Sequence, residues 1–352
     1  MISVRGVARA AVVGAMVLLA AGTVQAVVID TVPVGNPGNA GEWSGQSYGG
    51  YGQDRICGAV AYTYNIGKFE VTAGQYTAFL NKVGGVDTYS LYNTGMSDTS
   101  IGSGIARSGG GTGGDPYTYT VDANFVNRPV NLVSFWDSCR FANWLHNGQL
   151  TGAQDAGTTE RGAYTLDGYN GTDGRTIQRN ANATWAVTSE DEWYKAAYHK
   201  NDGVTGNYFD YPTSNDTAPG QDMTDSSGNN ANCWTPPYAL PIDSGKYTTV
   251  GGEFQNSDSP YGTFDQGGNV FEWNEAIAIP YPGATYAWRG LGGGSFSGTD
   301  YNLLAAIRCS NDPALEDLNY GFRVSEVPEP ATMALLALGG LGMLARRRSV
   351  RR

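Results

Sequence analysis

One segment of the chain, residues 264–275, combines carboxylates with a pair of glycines; it reads FDQGGNVFEWNE. Asp265 and Glu272 supply the carboxylates, and a turn at Gly267-Gly268 would expose backbone carbonyl oxygens. Calcium is a hard cation that binds such an all-oxygen set of ligands. A solvated turn followed by a strand explains the same residues, so the pattern indicates a candidate calcium loop and leaves the simpler interpretation open.

Histidine chemistry has few candidates. The chain has two histidines, His146 and His199, each at the C-terminal end of a predicted helix, where the helix dipole favours a structural cation. Two separated histidines cannot build a three-histidine metal site, and no HExxH motif is present. A Ser-His-Asp triad stays open because its members need not be adjacent, but no GxSxG motif supports one.

The glycine-rich stretch that starts at Gly290, GLGGGSFS, does not match a phosphate-binding loop. It has no lysine followed by serine or threonine, as a Walker loop requires. In either placement of GxGxxG, Ser295 or Ser297 stands where the last glycine should be. Nucleotide binding at this loop is therefore not expected.

The four cysteines are Cys57, Cys139, Cys233 and Cys309, and they lie far apart in the chain. They form no CxxC motif, which argues against a zinc site. Two disulfides could form in an exported protein, in three connectivities that the sequence cannot separate; Cys309 would be a disulfide partner or a buried thiol.

Three helices are predicted to position these segments. Thr72 begins the first with capping-box spacing, Ser134 begins the second, and Thr188 and Ser189 both offer caps to the third. Helical spacing predicts the following buried faces: Tyr76, Phe79, Leu80 and Val83 in the first helix, Phe141, Trp144 and Leu145 in the second, and Trp193, Ala196 and Ala197 in the third.

The remaining chain predicts short strands joined by long loops, with strands in AYTYNIGKFEV, NVFEWN and YGFRV. With 50 glycines among 352 residues, turns are abundant, and we expect an irregular α+β fold. We predict one domain over residues 56–326, preceded by a glycine-rich and loosely structured lead-in over 27–55.

Both ends of the chain predict targeting segments. Residues 1–26 contain two arginines, an apolar run and a small residue, Ala26, at the cleavage position, which is typical of a secretory signal peptide. Residues 327–352 contain VPEP, a 15-residue apolar run and five arginines. As a helix the run would be about 22 Å long, which is shorter than a hydrocarbon core of roughly 30 Å. An ordinary tail anchor remains an alternative interpretation of this segment. The tail resembles a PEP-CTERM sorting signal, which implies a bacterial exported protein recognised by sorting machinery.

Charge excludes two classes of partner. Removing the two arginines of residues 1–26, and the five arginines and one glutamate of residues 327–352, leaves 15 basic and 32 acidic side chains, a net charge of −17. Such a surface repels nucleic acid and anionic lipid. We therefore expect contact with a membrane only through the C-terminal segment.

Six motifs in order resemble the formylglycine-generating enzyme, or sulfatase-modifying factor, family over residues 56–324. They are FEVT from Phe69, RPV from Arg128 with VSFWD from Val133, SEDEW from Ser189, GGNVFEW from Gly267, GGSF from Gly293 and GFR from Gly321. The resemblance implies a loop-rich variant of the C-type lectin fold with bound calcium.

The same resemblance assigns candidate sites. The family's calcium ligands correspond to the side chains of Asp265 and Glu272 and the carbonyls of Gly268 and Val270, and a second site would begin at Asn232. The family's oxidase binds copper(I) through two cysteines, but their positions here are Gly298 and Leu303. Neither residue can ligate copper or form a mixed disulfide, so we expect no copper cofactor.

These observations favour a non-catalytic, calcium-stabilised binding or structural module at the envelope, contacting polysaccharide or another exported protein. Two alternatives stay open. One is a divergent copper-dependent formylglycine-generating oxidase that acts on sulfatase cysteines through other ligands. The other is a hydrolase that uses Glu190, Asp191 or Glu192, although the positive helix end also explains those acids.

Overall fold

A computed structural model describes residues 26–234, 236 and 240–328. The predicted signal peptide and the PEP-CTERM tail therefore lie outside the described residues, except for Ala26 and for Val327-Pro328. No helix within the described ranges is both long and apolar enough to cross a bilayer.

The three predicted helices are present. They are α1 (Ala73–Val83), α2 (Phe135–His146) and α3 (Glu190–Tyr198). Each begins with a capping box, in which the cap side chain and the third helical residue satisfy each other's backbone N–H groups; the pairs are Thr72 with Gln75, Ser134 with Asp137 and Ser189 with Glu192. Of the two caps offered to α3, Ser189 is used, and the predicted buried faces of all three helices are confirmed.

Twelve short strands are described. They are β1 (Thr31–Val34), β2 (Glu42–Ser44), β3 (Arg55–Cys57), β4 (Tyr64–Gly67), β5 (Ile105–Ser108), β6 (Thr118–Val121), β7 (Trp185–Val187), β8 (Phe271–Ala278), β9 (Trp288–Gly292), β10 (Cys309–Asn311), β11 (Tyr320–Phe322) and β12 (Val324–Glu326). The predicted strand segments correspond to β4, β8, β11 and β12. Long loops connect most of these elements, as the glycine content predicts.

The strands form two four-stranded sheets and two hairpin-like pairs. One sheet has the order β1-β4-β12-β7 and is antiparallel throughout. The other has the order β10-β9-β8-β11, in which only β11 and β8 run parallel. β2 pairs with β3, and β5 with β6. Because β11 and β12 are separated by one residue, Arg323, that residue lies where the two sheets meet.

The main hydrophobic core lies around α1 and α2. Every residue of α2 from Phe135 to Leu145 is buried, and aromatic rings of both helices pack edge to face against Phe322 of β11. Trp273 of β8 joins the same core and donates from its indole Nε1 to the carbonyl of Val133 at 2.9 Å. This packing fixes the start of β8, where the candidate calcium loop ends.

The lead-in over residues 27–55 is more ordered than the sequence suggests. It contains β1 and β2, and β1 forms the edge of the first sheet by pairing with β4. Ser44 Oγ donates to the carbonyl of Ala305 at 2.7 Å, and Tyr51 bridges to Ile307. Glycines permit this close docking, so here they indicate tight backbone contact and not looseness.

Cys57, Cys139 and Cys309 are free thiols, and no disulfide between two of the four cysteines is recorded in the part of the chain that the structure describes. Cys139 lies in the main core, Cys57 lies beside α3, Cys233 packs near Leu303, and Cys309 lies on β10. The sequence left two disulfides open as a possibility, but Cys57 and Cys233 lie in clusters of their own, and Cys309 packs against the cluster of Cys139 without bonding to it. Burial raises the pKa of Cys57 to about 12 and that of Cys309 to about 11, so neither is a reactive thiolate at neutral pH.

Candidate functional site

The candidate calcium loop runs from Asp265 to Glu272 and leads into β8. Three of its residues have a left-handed backbone, with φ of 60° at Asp265, 85° at Gly268 and 57° at Asn269. Gly268 is required both by its left-handed backbone and by lack of space, since a Cβ atom there would lie 2.2 Å from the carbonyl oxygen of Asn232. The chain therefore turns repeatedly within a few residues, as a loop that presents carbonyl oxygens must.

Glu272 is fully buried and already has strong partners. Its carboxylate accepts from Trp193 Nε1 at 2.7 Å and from Arg323 Nε and Nη2 at 3.0 and 2.8 Å. Arg323 is also fully buried, and it donates further to the carbonyls of Gly67 and Phe264. The first role of Glu272 is thus to balance a buried guanidinium, and its remaining lone-pair capacity is what a cation could use.

Asp265 lies beside a second buried acid, Glu70. Asp265 Oδ2 accepts from the backbone N–H of Gly252 at 2.6 Å, and burial raises the pKa of Asp265 to about 6. Burial, and after it the charge of Asp265, raises the pKa of Glu70 well above its ordinary value. Glu70 Oε1 is buried without a hydrogen-bond partner among the described residues. This part of the fold therefore holds more carboxylates than cations.

The side chain of Asn232, a residue whose backbone bridges to Gly268, supplies a second buried acceptor without a donor. Asn232 is buried, and its Nδ2 donates to the carbonyl of Tyr247 and to Asn269 Oδ1. Its own Oδ1 has no hydrogen-bond partner within the described ranges. Two buried oxygens without donors, on either side of a loop that offers carbonyls and carboxylates, fit a hard cation.

The donor set is nevertheless not a cluster of acidic side chains. No group of three or more His, Cys, Asp or Glu residues that could hold a metal ion occurs in the part of the chain that the structure describes. A calcium ion at this loop would need the carbonyls of Gly268 and Val270 beside the two carboxylates. Sequence motifs contained Glu70 and Arg323, but only the fold reveals that they surround this loop.

Gly298 and Leu303, the positions that the family resemblance predicts for the oxidase's two cysteines, lie on the loop after β9. The backbone N–H of Gly298 donates to the carbonyl of Ser295 at 3.0 Å, and its carbonyl accepts from the N–H of Trp234 at 2.7 Å. Leu303 is fully buried in a small cluster that includes Cys233. Glycine and leucine themselves offer no thiolate, which is the soft ligand that copper(I) takes.

Glu190, Asp191 and Glu192 are all engaged in ion pairs. Arg55 donates to Glu190 and Asp191, and Arg308 donates to Glu190 at 2.7 and 2.9 Å. Arg179 donates to both oxygens of Glu192, at 2.8 Å each. Glu190 and Asp191 therefore attach the lead-in and the loop before β10 to α3, and Glu192 attaches the loop before β7. These contacts explain the three acids without a hydrolytic role.

Both histidines have structural contacts. His146, the last residue of α2, places its Nδ1 2.9 Å from Thr184 Oγ1, and the fully buried His199 places its Nδ1 2.8 Å from the hydroxyl of Tyr261. Burial lowers the pKa of both rings, so the neutral form is favoured. Neither ring lies beside the other, and the prediction of structural roles agrees with these contacts.

Comparison with known proteins supports the family suggested by the motifs. The crystal structure of CarF is similar, with a TM-score of 0.51 and 18% identity over 86% of this chain and 99% of that one. Treponema denticola variable protein 1 is similar with a TM-score of 0.50 and 16% identity, over 85% and 95% of the two chains. At these identities the likeness shows the fold alone. No curated protein matches the chain.

Two family models match the sequence itself. The PEP-CTERM protein-sorting motif matches residues 326–349, which implies export, envelope sorting and recognition by an exosortase sorting system. The sulfatase-modifying factor enzyme 1-like domain matches residues 10–327. The predicted α+β fold of the formylglycine-generating type is thereby confirmed. The chain belongs to the sulfatase-modifying factor enzyme 1-like family.

Proposed function

We propose that this exported member of the family is a non-catalytic binding module, stabilised by calcium, that contacts polysaccharide or another exported protein at the cell envelope. The observation that carries the proposal is the pair Gly298 and Leu303. At the positions that the family resemblance predicts for two thiolates, this chain has a glycine and a buried leucine. The surrounding scaffold is retained, so the chain keeps a surface for recognition and lacks the ligands for copper chemistry.

Calcium is the cofactor that the loop before β8 supports best. Asp265 and Glu272 would bind it through carboxylates, and Gly268 and Val270 through carbonyl oxygens. Bound there, it would supply positive charge beside Glu70, Asp265 and Glu272, three acids whose charges act on the buried Arg323. Its contribution would be to stability, since binding to the folded state alone raises the melting temperature.

A chelator tests this site. We expect EDTA to lower the melting temperature of the purified protein by several degrees and added calcium to restore it. Glu272→Ala should abolish that response, but it also breaks the pair with Arg323. Asp265→Asn is therefore the sharper variant, because its amide oxygen can still accept from Gly252 while the charge is lost. An unchanged wild-type melt with chelator would refute the calcium site.

The C-terminal tail would hold the protein at the membrane until the sorting machinery processes it. The support is the PEP-CTERM match over residues 326–349 together with the apolar run and arginines of the sequence. Deleting residues 327–352 should move the protein from the membrane fraction to the soluble exported fraction. Retention of the truncated protein in the membrane fraction would contradict this role.

Binding itself is tested by affinity gel electrophoresis of the purified full-length protein. The gels would contain soluble β-glucan, mannan or galactan, with alginate as an anionic comparison. We expect at least one neutral polymer to retard the protein. If no polymer retards it, while an exported protein of the same cell is captured reproducibly at defined stoichiometry, the polysaccharide branch of the proposal fails and the protein branch stands.

A further inference from the structure

A cleft of about 190 Å³ lies between the lead-in loop and the β8–β9 hairpin, away from the candidate calcium loop. Tyr51 and Trp288 contribute aromatic rings to its lining, and Gln46, Gln53 and Ser310 contribute polar side chains. The volume is smaller than the roughly 300–1,000 Å³ typical of sites for drug-sized ligands. It suits one small ring of a longer molecule that extends beyond the cleft.

The loop that carries Tyr51 is held rigidly. The backbone N–H of Arg308 donates to the carbonyl of Tyr51 at 2.9 Å. A Cβ atom at Gly50 would lie 1.8 Å from the carbonyl oxygen of Ala306, and one at Gly52 would lie 2.2 Å from that of Arg308. Only glycine allows this approach, so the loop is preorganised and its ring needs little ordering when a ligand binds.

Exposed aromatic rings continue from one edge of the cleft. Tyr51 is 63% exposed, although its backbone is fixed, and Trp43 and Tyr48 are 51% and 47% exposed. The last two stack with centroids 5.3 Å apart and an interplanar angle of 10°. Tyr48 belongs to the same short helical turn as Gln46, which lines the cleft. Rings that are ordered yet exposed mark a surface for recognition.

Unused hydrogen-bonding groups accompany these rings. Within the part of the chain that the structure describes, no hydrogen bond reaches the indole Nε1 of Trp288, the side-chain amides of Gln46 and Gln53, or the hydroxyl of Ser310. Amides and hydroxyls can both donate and accept, whereas the indole only donates. Ring faces beside such groups match a pyranose, which has apolar C–H faces and an equatorial rim of hydroxyls.

Charge selects among polysaccharides. Arg308 lines the cleft, but it is already paired with Glu190, a carboxylate that lines the cleft as well. The mature chain, moreover, carries a net charge of −17. An anionic polymer would meet no unpaired cation and a repulsive field. The lining, which includes the pair of Glu190 and Arg308 beside rings, amides and aliphatic side chains, also differs from the charge-depleted core that is typical of protein interfaces.

We infer that this cleft is the polysaccharide-binding site and that its ligand is a neutral polymer of pyranose units. One ring lies between Tyr51 and Trp288, and the chain continues over the stacked pair of Trp43 and Tyr48. This inference rests on the proposed binding function and commits it to one surface and one class of ligand. The emptied cysteine positions at Gly298 and Leu303 take no part.

The experiment compares variants of the full-length protein in the same affinity gels, with the neutral polymer that retards the wild type most. Tyr51→Ala and Trp288→Ala should each weaken binding by about 10-fold, the order of one aromatic contact. Tyr51→Phe should bind almost as the wild type does, because it keeps the ring. Tyr301→Ala is the matched control, since Tyr301 is 47% exposed but does not line the cleft.

The outcomes separate the two proposals. Loss of binding in both cleft variants, with binding retained in Tyr301→Ala and melting temperatures unchanged, supports the inference. If both cleft variants are retarded as much as the wild type, the assignment of the binding site to the cleft is wrong, while the proposed binding function still stands. Retardation by no neutral polymer would overturn the polysaccharide function and the cleft with it. Stronger retardation by alginate than by neutral polymers would overturn the assignment of a neutral ligand.

Discussion

The buried pair between Arg323 and Glu272 predicts the largest effect of a single substitution near the site. Arg323 makes hydrogen bonds to both carboxylate oxygens of Glu272 and to the carbonyls of Gly67 and Phe264. Neither charged side chain is accessible to water. Arg323→Met would keep the apolar stem and remove the guanidinium, leaving one buried carboxylate without its counter-ion.

The size of the effect follows from these contacts. Breaking a buried pair by removing one partner typically destabilises a protein by about 3–5 kcal/mol. The carbonyls of Gly67 and Phe264 also lose their donor, and an unsatisfied buried acceptor costs about 1–3 kcal/mol. We therefore expect a loss of unfolding free energy at or above the middle of the range of about 3–5 kcal/mol. The double variant Arg323→Met with Glu272→Gln should lose about 0.5–3 kcal/mol less unfolding free energy than the two single variants lose in total.

Urea unfolding followed by tryptophan fluorescence measures these differences, because Trp193 and Trp273 are buried near the pair. Chelator in every sample would remove any bound calcium, so that the measured differences in stability come from the ion pair alone. Arg161→Met is the control, since Arg161 pairs with Asp167 at the exposed surface and its loss should change stability little. If Arg323→Met is no less stable than this control, the account of the pair is wrong.

Three further predictions concern the lead-in, pH and α3. Gly50→Ala should lower the melting temperature, because the added methyl group would displace the lead-in. Gly113→Ala is the control, since a Cβ atom there meets nothing within 4 Å, and it should leave the melting temperature unchanged. Equal melting temperatures for the two variants would contradict the tight docking. Burial raises the pKa of Glu42 from its ordinary value of 4.5 to about 7, because the folded protein disfavours the charged carboxylate. The contribution of Glu42 to the free energy of unfolding is therefore fully present below pH 4.5 and is lost as the pH rises through 7. Urea unfolding between pH 5 and 8 should therefore show a smaller loss of stability for Glu42→Gln than for the wild type, and parallel curves would refute this. Ser189→Ala removes the cap of α3 and should destabilise by about 1 kcal/mol in the same assay, with no change indicating that the capping box is dispensable.

The helices could be predicted from sequence because their signals are local. The capping boxes at Thr72, Ser134 and Ser189 use residues three positions apart, and the apolar spacing that follows each cap defines the buried face. The strand positions in β4, β8 and β11 followed from short alternating segments. The complete burial of α2 could not be predicted, because packing on its second face comes from distant loops.

The environment of the site depended on long-range contacts. Glu272 was predicted as a ligand, yet its partner Arg323 lies 51 residues away, and only the parallel pairing of β11 with β8 brings the two together. The docking of the lead-in depends on Ala306, more than 250 residues beyond Gly50. High glycine content indicates loops, and it does not distinguish an open loop from one pressed against another backbone.

The most direct test of the central claim is a mass-spectrometric assay for formylglycine. The purified protein would be given copper(I), oxygen and a peptide that contains the sulfatase cysteine motif, with a two-cysteine oxidase of the family as the positive control. Since the family resemblance assigns the two cysteine positions to Gly298 and Leu303, the account predicts that the peptide keeps its thiol while the control converts it. Conversion of the thiol to the aldehyde by this protein would contradict the account.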